Sequence, residues 1–499
     1  MQSEGESAGA GGPSSARTRV QWLGLLGGPL LALICYALLP DRFETAPGDV
    51  QDFSRAGQLT LLLLIWMAAW WLTEAVALQA TALLPLVLLP LFGAATMKEA
   101  AAPYASPLIF LFLGGFLMAL SMQRWGLDRR IALFVLRLAG TRPANLVGGF
   151  MVVTAVLSSC VSNTATVAMM LPIGLGVLAM AGAGDGDRGG NLKVCLMLAI
   201  AYAASIGGLA TVIGSPPNGL LVQYAADQLG ERISFLRWLA VGLPLTLVLL
   251  PVTWLLLTRV LHPLPREPLA GGRALLDAEW ARLGPVKSGE WITLAVFTGA
   301  VAGWLARPLL ADVLPGLTDA GIAITAGLLL FVLPVSVREH RFALDWDTAA
   351  RLPWGVLILF GGGLSLAEAV ETGGVGEFLG SFALGLEGLP PLVLVLAVTA
   401  GVVFLTELTS NTATAATLIP ILAALAPGLG LSPLALAIPV TLAASCAFML
   451  PVATPPNAIL FGSGHVTLPQ MMRAGVWLNL IATAAIAALT LLWVQRLLG

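Results

Sequence analysis

Ser162-Asn163-Thr164-Ala165-Thr166 lies halfway along an apolar stretch, 144–180, and the same pentapeptide returns as Ser410-Asn411-Thr412-Ala413-Thr414 halfway along a second one, 389–426. Each stretch is about 35 residues long, so each arm beside its polar tip has about 17. A full helical crossing of a ~30 Å hydrocarbon core needs about 20 residues. Two crossings per stretch would leave short arms and push the tip out as a surface loop. A stretch that enters, turns on a polar tip and leaves by the same face is a re-entrant helical hairpin, and that is the reading adopted.

The rest of the chain agrees with a membrane solvent. Of 499 residues, 58% are apolar and only 10% charged, against roughly 25% charged in soluble domains. That composition excludes an ordinary soluble fold. With 25 basic and 27 acidic residues the net charge is −2, so no extended basic surface for nucleic acid exists. The 55 glycines and 32 prolines suit membrane helices that pack closely or break. Cys35, Cys160, Cys195 and Cys446 are far apart, without the spacing of a disulfide framework or a zinc site.

Eleven further apolar runs have the length of spans, near 22–40, 57–74, 76–93, 106–123, 194–213, 236–258, 291–306, 319–336, 353–370, 434–452 and 474–495. The expected fold is therefore an all-α polytopic membrane protein with eleven transmembrane helices and two re-entrant hairpins. Lys and Arg should collect in alternate loops, on the cytoplasmic side. With the N-terminus inside and both hairpins non-crossing, 18 of the 25 fall in inner segments and 7 in outer ones, which puts the C-terminus outside. The expected organisation is a disordered cytoplasmic N-terminus (1–20), a first span and outer loop (21–56), a first repeat (57–258), a cytoplasmic linker (259–290) and a second repeat (291–499). The first apolar run, flanked by Arg17 and Arg19, suits an uncleaved span rather than a signal peptide.

The two halves carry matching marks in the same order. The pentapeptides are 248 residues apart, as are Pro172 and Pro420; Gly114-Gly115 precedes Gly361-Gly362 by 247; Ser215-Pro216-Pro217-Asn218 precedes Thr454-Pro455-Pro456-Asn457 by 239. Five spans separate the two hairpins, an odd number, so the second must enter from the opposite face. Inverted repeats whose broken helices meet at mid-membrane are the architecture of secondary transporters.

A Pro-Pro pair inside a span stops one helix, frees its last carbonyls and starts another. Exposed backbone of this kind is costly in lipid, so 213–218 and 452–457 should face protein or a wet cavity. Four helix breaks then offer N-termini with partial positive charge for an anion, and carbonyl, hydroxyl and amide oxygens suited to Na⁺ rather than to a transition metal. A lone Ser or Thr in a membrane helix usually back-bonds to the i−4 carbonyl; triplets recurring beside matched breaks point to a site. No Lys or Arg occurs from 143 to 187 or from 389 to 472. A dianion there would meet only dipoles and hydroxyls, too little to offset desolvation of two charges, and would need mobile cations. Glu407 stands where the first repeat has Ser159. It is read either as a charge tuner or proton acceptor, or as a carboxylate held by neighbouring backbone donors. Glu74 and Glu368 lie near span ends and read as structural, and His262, His340 and His465 as solvated loop residues.

The paired Ser-Asn-Thr tips and paired Ser/Thr-Pro-Pro-Asn breaks resemble the divalent anion:sodium symporter family, over roughly residues 57 to 495. The resemblance implies a homodimer in the bacterial inner membrane, each protomer with a scaffold and a transport domain that moves as an elevator. It implies one Na⁺ site at Ser158, Ser162, Asn163 and the backbone of Gly214, and a second at Thr406, Thr409, Asn411 and the backbone of Ala453, with position 409 contributing a main-chain carbonyl. Substrate oxygens would touch Ser162, Asn163, Thr164, Ser215, Ser410, Asn411, Thr412 and Thr454. The function implied is Na⁺-driven uptake of a C4-dicarboxylate such as succinate or malate, with no organic cofactor and no enzymatic activity. Sulfate or citrate symport, sodium-independent exchange and an anion channel are the alternatives. The retained hydroxyls at 158 and 406 favour coupling to sodium over exchange.

Overall fold

The computed structural model describes residues 15–46, 49–180, 187–269, 271–310, 313–382 and 389–494; the expectations for residues 1–14 and for the last five residues lie outside these. In chain order the helices of the first half are α1 (Ser15–Leu38), α2 (Arg55–Thr73), α3 (Leu78–Thr81), α4 (Leu84–Phe92), α5 (Met97–Ala101), α6 (Pro107–Trp125), α7 (Leu127–Ala139), α8 (Pro143–Ser158), α9 (Asn163–Met180), α10 (Asp187–Gly208), α11 (Pro216–Gln228) and α12 (Phe235–Leu255). Those after the first half are α13 (Gly272–Leu283), α14 (Ser288–Leu310), α15 (Asp319–Val332), α16 (Trp346–Ala349), α17 (Trp354–Thr372), α18 (Val375–Ser381), α19 (Pro391–Thr406), α20 (Asn411–Leu425), α21 (Pro433–Ala444), α22 (Pro455–Gly462) and α23 (Leu468–Leu489).

The protein is an all-α polytopic membrane protein. Eight described helices are long and apolar enough to cross a bilayer, and seven shorter apolar ones accompany them. Four of the seven are the hairpin arms α8, α9, α19 and α20; the other three, Leu78–Phe92, α15 and α21, complete the eleven crossings expected. Both hairpins turn identically: the first arm ends at Ser158 or Thr406, four residues leave the helix, and the second arm starts at Asn163 or Asn411.

Some details differ from the sequence reading. The run 76–93 is two helices, α3 and α4, with a turn between them. The run 319–336 is helical only to Val332, after which Pro334–Ser336 pairs with Arg341–Phe342 in a small antiparallel ribbon; a second ribbon joins Arg42–Ala46 to Asp49–Asp52. The runs 194–213 and 434–452 do not end their crossings at the Pro-Pro breaks, since α11 and α22 continue beyond them. The linker segment carries α13, which is tied to α7 by ion pairs Arg129–Glu279 (2.6 Å) and Arg137–Asp277 (2.9 Å).

Packing follows from small residues and from all-round apolarity. A Cβ at Gly207 would lie 2.4 Å from the Ala155 carbonyl oxygen, and one at Gly114 2.3 Å from that of Ala323; glycine therefore lets α10 meet α8, and α6 meet α15, almost backbone to backbone. The two broken helices are the most enclosed: Cys195–Ala204 of α10 and Leu436–Ala444 of α21 are fully or almost fully buried, as helices apolar on every face should be. By contrast α1 packs on α2 and turns Trp22, Leu23, Leu26 and Leu38 outward, a face for lipid. One packed group holds α2–α6, α14, α15 and α17; a second holds α8–α12 and α19–α23, touching the first chiefly where α11 and α20 meet α17 and α2. The repeats interlock inside the second group: α22 packs on α9 and α10, and α11 on α20 and α21.

Candidate functional site

At the first tip, the Ser158 hydroxyl donates toward the Asn163 amide oxygen and toward the Ala204 carbonyl of α10 (2.8 Å). At the second, the Thr406 hydroxyl does the same toward Asn411 Oδ1 (2.9 Å) and the Ala444 carbonyl of α21 (3.0 Å). One hydroxyl has one proton and cannot satisfy both acceptors at once. Each tip therefore keeps an oxygen in surplus, the condition a small hard cation meets. Ser158 and Thr406 are fully buried, so a cation would sit behind the tip rather than on its surface.

The breaks are built alike. The helix α10 ends at Gly208, Val212–Gly214 make a 3₁₀ turn, and α11 starts at Pro216 with Ser215 extended before it. Asn218, fully buried, donates its amide to the Gly208 (2.9 Å) and Thr211 (2.8 Å) carbonyls. Asn457 donates to the Ala447 (3.1 Å) and Leu450 (3.0 Å) carbonyls. Two carbonyls freed at each break are thereby satisfied. The Asn218 and Asn457 Oδ1 atoms are buried without a partner among the described residues. The two breaks touch through the hydroxyls of Ser215 and Ser445, 3.0 Å apart.

In the first repeat the space between tip and break is bounded by oxygens. A Cβ at Gly208 would lie 2.9 Å from Asn163 Oδ1 and 3.0 Å from the Gly214 carbonyl oxygen; one at Gly214 would lie 2.7 Å from the Gly208 oxygen and 3.0 Å from that of Ser159. Hydroxyl, amide and carbonyl oxygens thus converge where only glycine leaves room, a donor set that fits Na⁺.

Glu407 is 3% exposed and accepts four hydrogen bonds, from the Phe448 (2.6 Å), Met449 (2.8 Å) and Leu450 (2.9 Å) amides and from Asn479 Nδ2 of α23 (2.8 Å). Of the two sequence readings, this is the carboxylate held by backbone donors. The first repeat uses a neutral counterpart, the Thr211 hydroxyl donating to the Ser159 carbonyl.

Tips and breaks enclose a cavity of about 700 Å³. All eight residues expected to touch the anion line it, Ser162, Asn163, Thr164, Ser215, Ser410, Asn411, Thr412 and Thr454, and so do Gly214 and Ala453. Ser158, Thr406 and Thr409 are not in its wall. The Thr409 hydroxyl donates to the Leu405 carbonyl (3.0 Å) and lies 2.7 Å from the Thr414 hydroxyl. No Lys, Arg or His is among the lining residues; Glu74 is the one ionisable group there.

Sequence reasoning missed several wall residues. Phe112 and Phe116 of α6, Pro353, Val356 and Glu74 come from the other packed group, and no local pattern marks them. Asn218 and Asn457 did carry a signal, their shared place directly after Pro-Pro. Of the histidines, His262 and His465 are half-buried rather than solvated. Burial, with Arg473 nearby, pushes the His262 imidazole below its usual range. No group of three His, Cys, Asp or Glu side chains able to hold a metal occurs among the described residues.

Residues 49–499 match the family model described as the sodium:sulfate symporter transmembrane region. The chain is 40% identical to a protein named sodium-dependent dicarboxylate transporter SdcS from Staphylococcus saprophyticus, over 96% of this chain and 92% of that one. It is 42% identical to the SdcS of Staphylococcus aureus, over 93% and 90%. Among solved structures it resembles the YdaH transporter of Alcanivorax borkumensis, with a TM-score of 0.58 at 15% identity, covering 96% of this chain and 98% of that one; at that identity the likeness concerns the fold alone. Tips, breaks, inverted halves and a match over nine-tenths of the length converge: the chain belongs to the sodium:sulfate symporter family, the divalent anion:sodium symporters whose paired motifs it carries.

Proposed function

We propose that the protein is a secondary active transporter that couples Na⁺ entry to uptake of a C4-dicarboxylate such as succinate or malate. The observation that carries this reading is the 700 Å³ cavity walled by two asparagine-bearing tips and two broken helices, with no basic side chain in its lining. One Na⁺ would be held at Ser158, Ser162, Asn163 and the Gly214 backbone, a second at Thr406, the Thr409 main chain, Asn411 and the Ala453 backbone. Each ion neutralises one carboxylate that Ser162-Asn163-Thr164 and Ser215, or Ser410-Asn411-Thr412 and Thr454, then orient. Without the ions a dianion faces helix dipoles worth only a fraction of a charge each, too little to replace its water. Binding of anion and cations is therefore mutual, which is what symport requires.

The cavity wall includes Glu74 after α2 and Pro353 before α17, helix ends that the Lys and Arg distribution puts on the cytoplasmic side. We read this conformation as open to the cytoplasm, with the N-terminus on that face, the C-terminus outside and the protein in the bacterial inner membrane. The second packed group, with α8–α12 and α19–α23, would be the moving transport domain of an elevator, and the first the scaffold of a homodimer. The function is carriage, not catalysis, and neither an organic cofactor nor nucleic acid takes part.

The names of the two relatives favour a dicarboxylate over the sulfate in the family's title, and a cavity bounded by two tips offers two carboxylate ends at once. Uptake of labelled succinate into proteoliposomes, with a Na⁺ gradient and with K⁺ or choline in its place, tests the reading. Accumulation only with the Na⁺ gradient, and competition by malate ahead of sulfate and citrate, is expected. Equal uptake without Na⁺ would indicate exchange, and currents far above carrier turnover a channel.

A further inference from the structure

At the end of the first hairpin remote from its tip, α7, α8 and the 259–290 segment enclose a separate cavity of about 300 Å³. Arg137, Arg142 and Arg273 line it together with Thr141 and Asn145, against a single carboxylate, Asp277. Arg137 is already placed by Asp277 (2.9 Å) and by the Trp280 ring, whose centroid is 5.1 Å from its guanidinium carbon. Arg142 and Arg273 are exposed and have no acidic partner among the described residues. Arg142 is also the N-cap of the 16-residue α8, and no side chain caps the first turn, so the positive end of that helix adds to the excess. The wall is held in register by the Leu269 amide, which donates to the Thr141 carbonyl (2.9 Å).

We propose that this cavity binds the phosphodiester of an anionic phospholipid headgroup. Guanidinium groups are suited to phosphate oxygens by geometry as well as charge, and basic pockets at the ends of membrane helices are where acidic headgroups collect. The helix beside the cavity indicates a lipid rather than a soluble phosphate. α7 follows a crossing, carries Arg129, Arg130 and Arg137, and exposes Phe134 and Leu138, 54% and 72% accessible. Residues at i and i+4 share a helix face, so an apolar strip lies on the helix that also supplies a guanidinium to the cavity. A helix of this composition rests in the headgroup layer with its apolar face against acyl chains. A lipid bound there would tie the interfacial helix, the root of the hairpin and the linker together, at the joint between the two packed groups.

Native mass spectrometry of the purified protein with phosphatidylglycerol, phosphatidylcholine or inorganic phosphate tests the assignment. The wild type should retain phosphatidylglycerol and not phosphatidylcholine, and excess inorganic phosphate should not displace it. Arg142→Gln/Arg273→Gln should bind phosphatidylglycerol roughly 30-fold more weakly, as about 1 kcal/mol per arginine implies, while Arg266→Gln, outside the cavity, should not change it. In proteoliposomes, phosphatidylglycerol should raise the uptake rate of the wild type and leave the double variant flat, with KM for the anion unaltered. Equal retention by wild type and double variant would overturn the site. Displacement by inorganic phosphate would overturn the lipid as its occupant. Should the double variant be unstable, the wild type's preference between the two lipids still decides: no preference contradicts the proposal.

Discussion

The two repeats are copies in outline and unlike in what supports them. In both, a buried hydroxyl bridges the tip asparagine to the broken helix, and a second asparagine secures the freed carbonyls. Behind that shared frame the first repeat is held by a neutral bond, Thr211 to Ser159. The second is held by Glu407, whose carboxylate gathers three consecutive backbone amides and Asn479. The oxygen cage differs too: Gly208 and Gly214 in the first repeat correspond to Ala447 and Ala453 in the second. One site is shaped by the absence of a Cβ, the other by a carboxyl group that gathers three backbone amides nearby. The proposed ligands obey the symmetry and the scaffolding around them does not, so if both sites bind Na⁺ they should hold it with different affinity.

The symmetric part of that comparison is the easier to break. Asn163→Ala and Asn411→Ala should each abolish Na⁺-dependent uptake while membrane expression persists, because each removes an amide proposed to serve both cation and anion. Near-normal uptake by either variant would remove that amide from the proposed site. Next in size is the glycine difference. A Cβ at Gly214 falls 2.7 Å from the Gly208 carbonyl, an overpacking that costs roughly 1–3 kcal/mol, or about 5- to 140-fold in affinity. Gly214→Ala should raise the Na⁺ concentration for half-maximal uptake by such a factor, and Ala453→Gly should leave it nearly unchanged. Equal effects would mean that the alanine repeat is as tightly caged as the glycine one.

The supporting bonds differ by a smaller margin. Hydrogen bonds to a charged acceptor contribute about 1.5–3 kcal/mol each and neutral ones about 1 kcal/mol. Glu407→Gln should lower the thermal midpoint of the solubilised protein clearly more than Thr211→Val does, and shift the Na⁺ dependence along with it. If Thr211→Val is the worse of the two, the carboxylate is not what holds the second break. Asn218→Ala and Asn457→Ala, which remove two matched bonds each, should destabilise to a similar degree, and their equality serves as the control for the symmetric frame.

Much of this was legible in the sequence because the membrane leaves few choices. Spans, hairpins and breaks follow from counting apolar residues and from the cost of unpaired backbone in lipid, and the repeated tips locate the cavity. Where reading failed, the deciding interaction was tertiary. Glu407 could be a proton acceptor or a clamp until the amides of Phe448, Met449 and Leu450 were seen to converge on it. Phe112, Phe116 and Glu74 reach the cavity from helices whose own patterns say only that they are buried or end nearby. The α3–α4 turn and the 334–342 ribbon have no strong local signal, since an apolar run of that length reads as one helix.

The central claim is that a dianion can be bound at mid-membrane by co-transported cations and peptide dipoles, in a cavity without a basic side chain. Isothermal titration of the purified protein with succinate, in NaCl and in choline chloride at equal ionic strength, tests it most directly. The account expects measurable binding in NaCl and a loss of more than about 100-fold in choline, as removal of two neutralising charges from a poorly hydrated site demands. Equal affinity in the two salts would contradict it.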